Sequence, residues 1–287
     1  MQENQGLKIL TTLDSIDFKS ENYALNRFAN LDMEVRYIPN NSLNMQINSG
    51  IPGQSGLKSE FLIRLLDHNI KSPIKPVMDD KNRLRLLGEL PVNNEQDLVP
   101  CYKYLKSALI QEAGRLYNVN YDIPKQLKYS VKSFGKIDPE AALLESGMQD
   151  FAIKKINENR YLVYIESPHF YEKVNIFPDK KSGSFIYRSF LKNFTKDEFN
   201  SESGSAVCLY LMHTLQQYCY VRPVIEAEGD KLKLELQIIL PFFLNDTFSP
   251  EMAIRKLFSV MFVVKHPVMI LSKTEAAKEY LLYVWDV

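Results

Sequence analysis

The segment Ile74-Lys75-Pro76-Val77-Met78-Asp79 is answered, position for position in chemical type, by Val221-Arg222-Pro223-Val224-Ile225-Glu226. No other feature limits the fold as much, because a chain that repeats itself builds the same local structure twice. Pro76 and Pro223 stand 147 residues apart. Further on, Leu84, Leu86, Leu90 and Pro91 match Leu234, Leu236, Leu240 and Pro241 at a spacing of 150, and Pro100 matches Pro250 at the same spacing. The small change in spacing fits a longer hairpin turn in the second copy. Upstream, Leu62 and Leu65 align with Leu209 and Met212. At 287 residues the chain is long enough for two domains of ordinary size.

Each copy has the same local signals. Helical periodicity over 61–69 and 207–217 precedes a strand holding Pro76 or Pro223, a residue confined to edge strands and bulges. Asp79-Asp80-Lys81-Asn82 and Glu228-Gly229-Asp230 are turn chemistry. Leu232, Leu234, Leu236, Ile238 and Leu240 then alternate with Lys231, Lys233, Glu235 and Gln237, which predicts a strand with one face on a core and the other in water. Leu84, Leu86 and Leu90 hold the same face in the first copy. A long helix is predicted to begin near Pro100 and Pro250, with Asp97 and Ser249 as N-caps. Strands are predicted earlier in each copy, as hairpins over 33–48 and 152–167, and a closing helix over 273–285. The expected fold class is therefore α+β: two tandem copies of a helix–antiparallel sheet–helix module, spanning 1–120 and 137–287 with a connector at 121–136.

Composition excludes several functions. Lys+Arg and Asp+Glu are both 35, and the basic residues around 71–85 are interleaved with Asp79, Asp80 and Glu89, so the basic stripe of a nucleic-acid binder is missing. Three widely spaced cysteines, Cys101, Cys208 and Cys219, form neither an even disulfide set nor a C-x-x-C pair, which points to reduced thiols in a cytoplasmic protein. The apolar run 257–271 is broken by Lys265, His266 and Pro267, and membrane insertion is not expected.

Catalytic and metal motifs fare no better. In Gly50–Ser59 the Gly and Lys of a phosphate loop are separated by Leu57, so a loop ahead of a helix, capped near Ser55 or Ser59, is the simpler reading. His68, His169, His213 and His266 show no ligand spacing, and His213 stands where its repeat partner is Leu66, as a packing histidine would. Asp79 and Asp80 form a carboxylate pair, but one expected at a water-exposed turn that would not raise a pKa. No catalytic, cofactor or metal residue is assigned.

The run Arg83-Leu84-Arg85-Leu86-Leu87-Gly88-Glu89-Leu90-Pro91, followed by Asp97-Leu98-Val99-Pro100 and a helix, resembles the C-terminal half of the YbjN family, itself similar in fold to type III secretion chaperones. The likeness covers 55–117 and, more weakly, 203–265. It implies single modules that dimerise and hold an extended segment of another protein, here fused into an intramolecular pseudo-dimer. The expected function is thus a non-catalytic, chaperone-like or adaptor-like protein-binding module; the alternative is a regulator or enzyme holding a small molecule between the modules. Phe242, Phe243 and Leu244 replace the polar Val92-Asn93-Asn94 stretch of the first copy and are the candidate partner-binding residues, with packing between modules as the competing role.

Overall fold

The computed structural model describes residues 5–39, 41–52, 58–67, 69–129, 138, 141, 143, 151–167, 170–244 and 248–285. Among these the chain is α+β, with seven helices and two six-stranded antiparallel sheets. Helix α1 (Gln5–Thr11) leads into β1 (Ile16–Ser20), β2 (Tyr23–Phe28), β3 (Leu31–Ile38) and β4 (Asn41–Pro52). Next come α2 (Ser59–Leu65), β5 (Lys75–Met78), β6 (Arg83–Val92) and α3 (Glu95–Tyr117). The second sheet is built from β7 (Ala152–Asn157), β8 (Arg160–Ser167), β9 (Phe170–Asp179) and β10 (Ser184–Thr195). It continues after α4 (Lys196–Asn200) and α5 (Glu202–Thr214) with β11 (Arg222–Glu228) and β12 (Lys231–Pro241). Helices α6 (Pro250–Leu271) and α7 (Thr274–Trp285) close the chain.

The strand orders are β1-β2-β3-β4-β6-β5 and β7-β8-β9-β10-β12-β11, the same path in both sheets. Both prolines lie on edge strands, where the missing N–H breaks no ladder: Pro76 pairs only with Leu86 and Pro223 only with Leu236. By position in their sheets, β3–β4 correspond to β9–β10. The hairpin expected over 152–167 is present as β7–β8, but by sheet position it corresponds to β1–β2 and not to the 33–48 hairpin, β3–β4. Polar, irregular β1–β2 and the strands β9–β10 gave too little alternation to be read.

Helix α3 covers one face of the first sheet. Gly88 makes the contact possible: a Cβ there would lie 2.7 Å from Ile74 Cδ1 and 2.9 Å from Leu105 Cδ2. Leu84, Leu86 and Leu90 share that face with Leu43 and Ile47 across the ladder. Helix α6 covers the second sheet in the same way, with Ile254, Leu257 and Met261 buried above Leu234, Leu236 and Ile238. Each fully buried leucine of this kind contributes about 1.5–3 kcal/mol.

Two expected boundaries move. Helix α3 starts at Glu95, because the Asn94 side chain, rather than Asp97, caps it by accepting from the Asp97 amide at 3.0 Å; Pro100 therefore sits within the helix. Helix α2 has Lys58 at its N-cap position with no side-chain cap, and Ser59 lies in its first turn with its hydroxyl donating to the Phe199 carbonyl at 3.3 Å. Ser249 does cap α6, accepting from the Met252 amide, with Pro250 in the first turn. Ser55, His68, His169 and most of the glycine loop lie outside the described residues.

A larger correction concerns the outer faces of β6 and β12. The alternation of β12 puts Glu235 and Gln237 in water, yet both are buried, as is Glu89 on the corresponding face of β6. The reason is that the two halves of the chain cover each other here. Helix α5 and the turn after it lie against β5, the Ile225 amide donates to the Leu66 carbonyl at 2.6 Å, and Asp67 bridges to Ile225. Alternation locates a core-facing side; it does not show what covers the other.

Candidate functional site

The junction between the halves is built on two buried cations at matched repeat positions. Lys75 is only 2% exposed; its ammonium lies 2.7 Å from the Glu89 carboxylate and donates to the Leu215 and Tyr218 carbonyls, each at 2.8 Å. All three of its donors are thereby satisfied. Arg222, its counterpart in the second half, reaches the other way and donates to the Ser72 carbonyl at 2.9 Å. The crossing hydrogen bonds tie each edge strand to the segment before the opposite one. The two sites differ in charge: Ile239 stands at the repeat position that Glu89 holds in the first half, and Arg222 pairs across the ladder with Gln237. Burial lowers the Arg222 pKa to about 10, with partial compensation from Glu112 of the first half.

Asp79 also departs from expectation. It is buried rather than open at a hairpin tip, because Arg83 and Arg85 fold back onto it at 2.9 Å each and the amides of Lys81 and Arg83 donate to its carboxylate. Burial opposes its ionisation, but these donors outweigh burial and hold its pKa below the ordinary value. A carboxylate so held is a turn anchor, not a general acid. Helix α7 adds to the cover, since Asn82 donates to the Val284 carbonyl.

Sequence reading also missed a third buried cation, Lys106 on α3. It pairs with Asp14, donates to Asn26 Oδ1 at 2.7 Å, and has Tyr102 bonded to the same carboxylate at 2.6 Å. Burial lowers its pKa, and the Asp14 contact opposes that shift. With no exposed surface it is a structural cation and not a nucleophile. His213 is half-buried, its pKa lowered by burial, and its Nε2 has no hydrogen-bond partner among the described residues. Cys101 and Cys208 are buried, and burial raises both thiols. No cluster of metal-ligating side chains occurs among the described residues.

The candidate partner residues form a short 3-10 turn, Phe242–Leu244, after β12. Phe242 and Leu244 are buried, Phe242 edge-on to Phe185 with ring centres 4.8 Å apart. Phe243 is half-buried and lies 6.0 Å from the Tyr129 ring, which in turn meets Tyr104 of α3 at 4.8 Å. The turn thus reaches the connector and α3; of the three residues, only Phe243 keeps more than marginal accessible surface.

Exposed apolar surface is concentrated elsewhere, on α6 and α7. One side of α6 is buried on the second sheet. The opposite side carries Met252, Phe262, Val263, Met269 and Ile270, whose separations of 7, 11 and 18 residues keep them on one side of the helix, with exposed Arg255, Ser259 and His266 among them. Phe262 is 77% exposed, and on α7 Tyr283 and Leu282 are 72% and 63% exposed. Large apolar side chains gathered on one exposed helix side, with polar residues between them, are typical of interaction surfaces. The sequence signal for this side lies in the high apolar content of 257–271, which exceeds what one buried helix face needs; no helix among the described residues is long and apolar enough to cross a membrane.

No family model, curated protein or solved structure matches this chain.

Proposed function

We propose that this chain is a non-catalytic binding protein that holds a segment of a protein partner on the exposed apolar side of α6, extended by Leu282 and Tyr283 on α7. The observation that carries this reading is the group of large apolar residues on that side of α6, left in water while the opposite side is buried. Aromatic and methionine side chains are favoured at recognition surfaces because they offer large contact area. The frame for this surface is a pseudo-dimer of two chaperone-like modules, 1–120 and 137–287, akin to the YbjN family. Its support is the shared strand order of the sheets and the crossed bonds of Lys75 and Arg222. Buried, unpaired thiols are in keeping with a reducing, cytoplasmic setting.

The test is a photo-crosslinking residue at position 262 in the cell of origin, followed by reconstitution with the purified crosslinked partner. A partner that binds the unmodified chain and fails to bind Phe262→Glu/Tyr283→Glu, with thermal stability unchanged, supports the reading. A partner indifferent to both substitutions, or crosslinking only between copies of this chain, overturns it.

A further inference from the structure

A second surface, independent of the apolar side of α6, lies where the halves meet on the outer face of the second sheet. A cleft of about 520 Å3 has Phe177, Ile186 and Arg188 of β9–β10 in its lining, Lys71 from the segment between α2 and β5, and Lys180 and Lys181 from the β9–β10 turn. Its volume falls in the range of small-molecule sites. Its charge is lopsided. Four cations line it against one carboxylate, Asp179, in a chain with no net charge. That carboxylate is already engaged by Lys71 at 3.0 Å, by the Ser182 hydroxyl at 2.9 Å and by the Lys181 amide. Lys180 and Lys181 have no carboxylate partner among the described residues.

The surplus extends behind the cleft. Arg188, Gln237 and Arg222 form one cross-strand row on the outer face, and Arg188 Nε donates to Gln237 Oε1 at 2.8 Å. Gln237 is fully buried, yet its Nε2 has no acceptor among the described residues, and neither has Arg222 Nε. Among the described residues, the acids whose charge acts on Arg188 include Glu235 and Glu226. Both are already bonded to Lys233, at 2.8 and 3.3 Å, while the other Glu235 oxygen, Oε2, is buried with no hydrogen-bond partner among the described residues. Of this row only the half-buried Arg188 reaches the cleft, where with Lys71, Lys180 and Lys181 it sets four cations around one engaged carboxylate, an arrangement suited to an acceptor that carries charge.

We propose that this cleft binds a small phosphate-class anion, either free phosphate or a phosphate monoester, with Arg188 as the planar donor at its floor and Lys71 and Lys181 closing on it from the rim. Guanidinium matches the phosphate oxygens in geometry, and the lysines add point charges. Phe177, Pro178 and Ile186 offer apolar surface for the organic part of an ester.

Calorimetric titration of the full chain at low salt, with inorganic phosphate in one arm and phenyl phosphate in the other, tests this. One saturable site is expected for at least one probe. Tighter binding of phenyl phosphate assigns the site to esters, and equal binding assigns it to free phosphate. Lys181→Ala and Lys71→Ala should each weaken binding about tenfold, the loss of one charge-assisted contact. Lys278→Ala, an exposed lysine on α7, should leave it unchanged. Both rim variants keep the buried row, so Arg188→Gln can be read beside them even if it folds less well. Absence of saturable binding for both probes overturns the proposal. So does binding that survives both rim substitutions, or that falls equally with Lys278→Ala.

Discussion

The Lys75–Glu89 pair is the contact whose removal tests the junction most directly. Lys75 is 2% exposed and Glu89 7%, so neither group can turn to water when its partner is lost. Breaking a buried pair from one side costs about 3–5 kcal/mol, because it leaves an uncompensated charge behind. Lys75→Met does this to Glu89 and also removes the donor to the Leu215 and Tyr218 carbonyls. It should therefore reach at least the upper part of that range, near 5 kcal/mol, since an orphaned buried acceptor adds about 1–3 kcal/mol. Glu89→Gln keeps an acceptor within reach of Lys75 and leaves both carbonyl bonds in place. Its cost should sit at the lower end, near 3 kcal/mol. The double variant Lys75→Met/Glu89→Leu removes both charges together and should be less damaging than Lys75→Met alone. Its two stranded carbonyls keep it below the original stability.

Urea unfolding followed by far-UV circular dichroism measures all three variants, with a single transition as the condition for comparing them. The order of costs is the sharp part: Lys75→Met largest, then the double variant or Glu89→Gln. The coupling between the two sites should exceed about 1 kcal/mol, as expected of residues in direct contact. If both single variants lose less than about 1 kcal/mol, the pair is not the buried junction described above and the covering of β6 by the second half is wrong.

Three further outcomes follow from individual sites. Gly204→Ala on α5 would put a Cβ 2.0 Å from the Phe199 carbonyl oxygen, so main chain must shift and thermal unfolding should show a loss of about 1–3 kcal/mol or more. Asp79 has a folded pKa below its unfolded value; its contribution to stability is present above the ordinary carboxylate range and is lost as pH falls through the lowered folded value, so Asp79→Asn should flatten the acid limb of a stability–pH profile. His213 is likewise lowered, by burial; its effect runs in the same direction but from about pH 6.5 downward, and His213→Gln should remove a loss of stability that the unmodified chain shows on mild acidification.

The residues explain why some of this was legible in the sequence and some was not. The repeat located the edge strands because proline is tolerated there and little else competes for the reading. It located the core face of β12 because Leu232 to Leu240 alternate without interruption. It could not reveal that Glu89, Glu235 and Gln237 are buried, since a polar residue facing water and one facing a second module look alike in sequence. Lys106 was hidden for the same reason: its partners Asp14 and Asn26 are 92 and 80 residues away, and no local pattern announces them.

The junction itself supplies a physical reason for the two halves to diverge. In a symmetric dimer each interface cation must meet the same surroundings twice. Two halves within one chain are under no such requirement. One site has a complete ion pair, Lys75 with Glu89, and the other has a guanidinium with Ile239 at the acid's repeat position and compensation drawn from Glu112 across the junction. Restoring symmetry would then act unequally. Ile239→Glu would place a carboxylate near Arg222 and should move the Arg222 pKa back up, because the added charge opposes the burial that lowers it. The same carboxylate would also neutralise the buried row behind Arg188. It should thus weaken phosphate binding in the cleft while leaving a protein partner on α6 unaffected, and that difference separates the two surfaces in one variant.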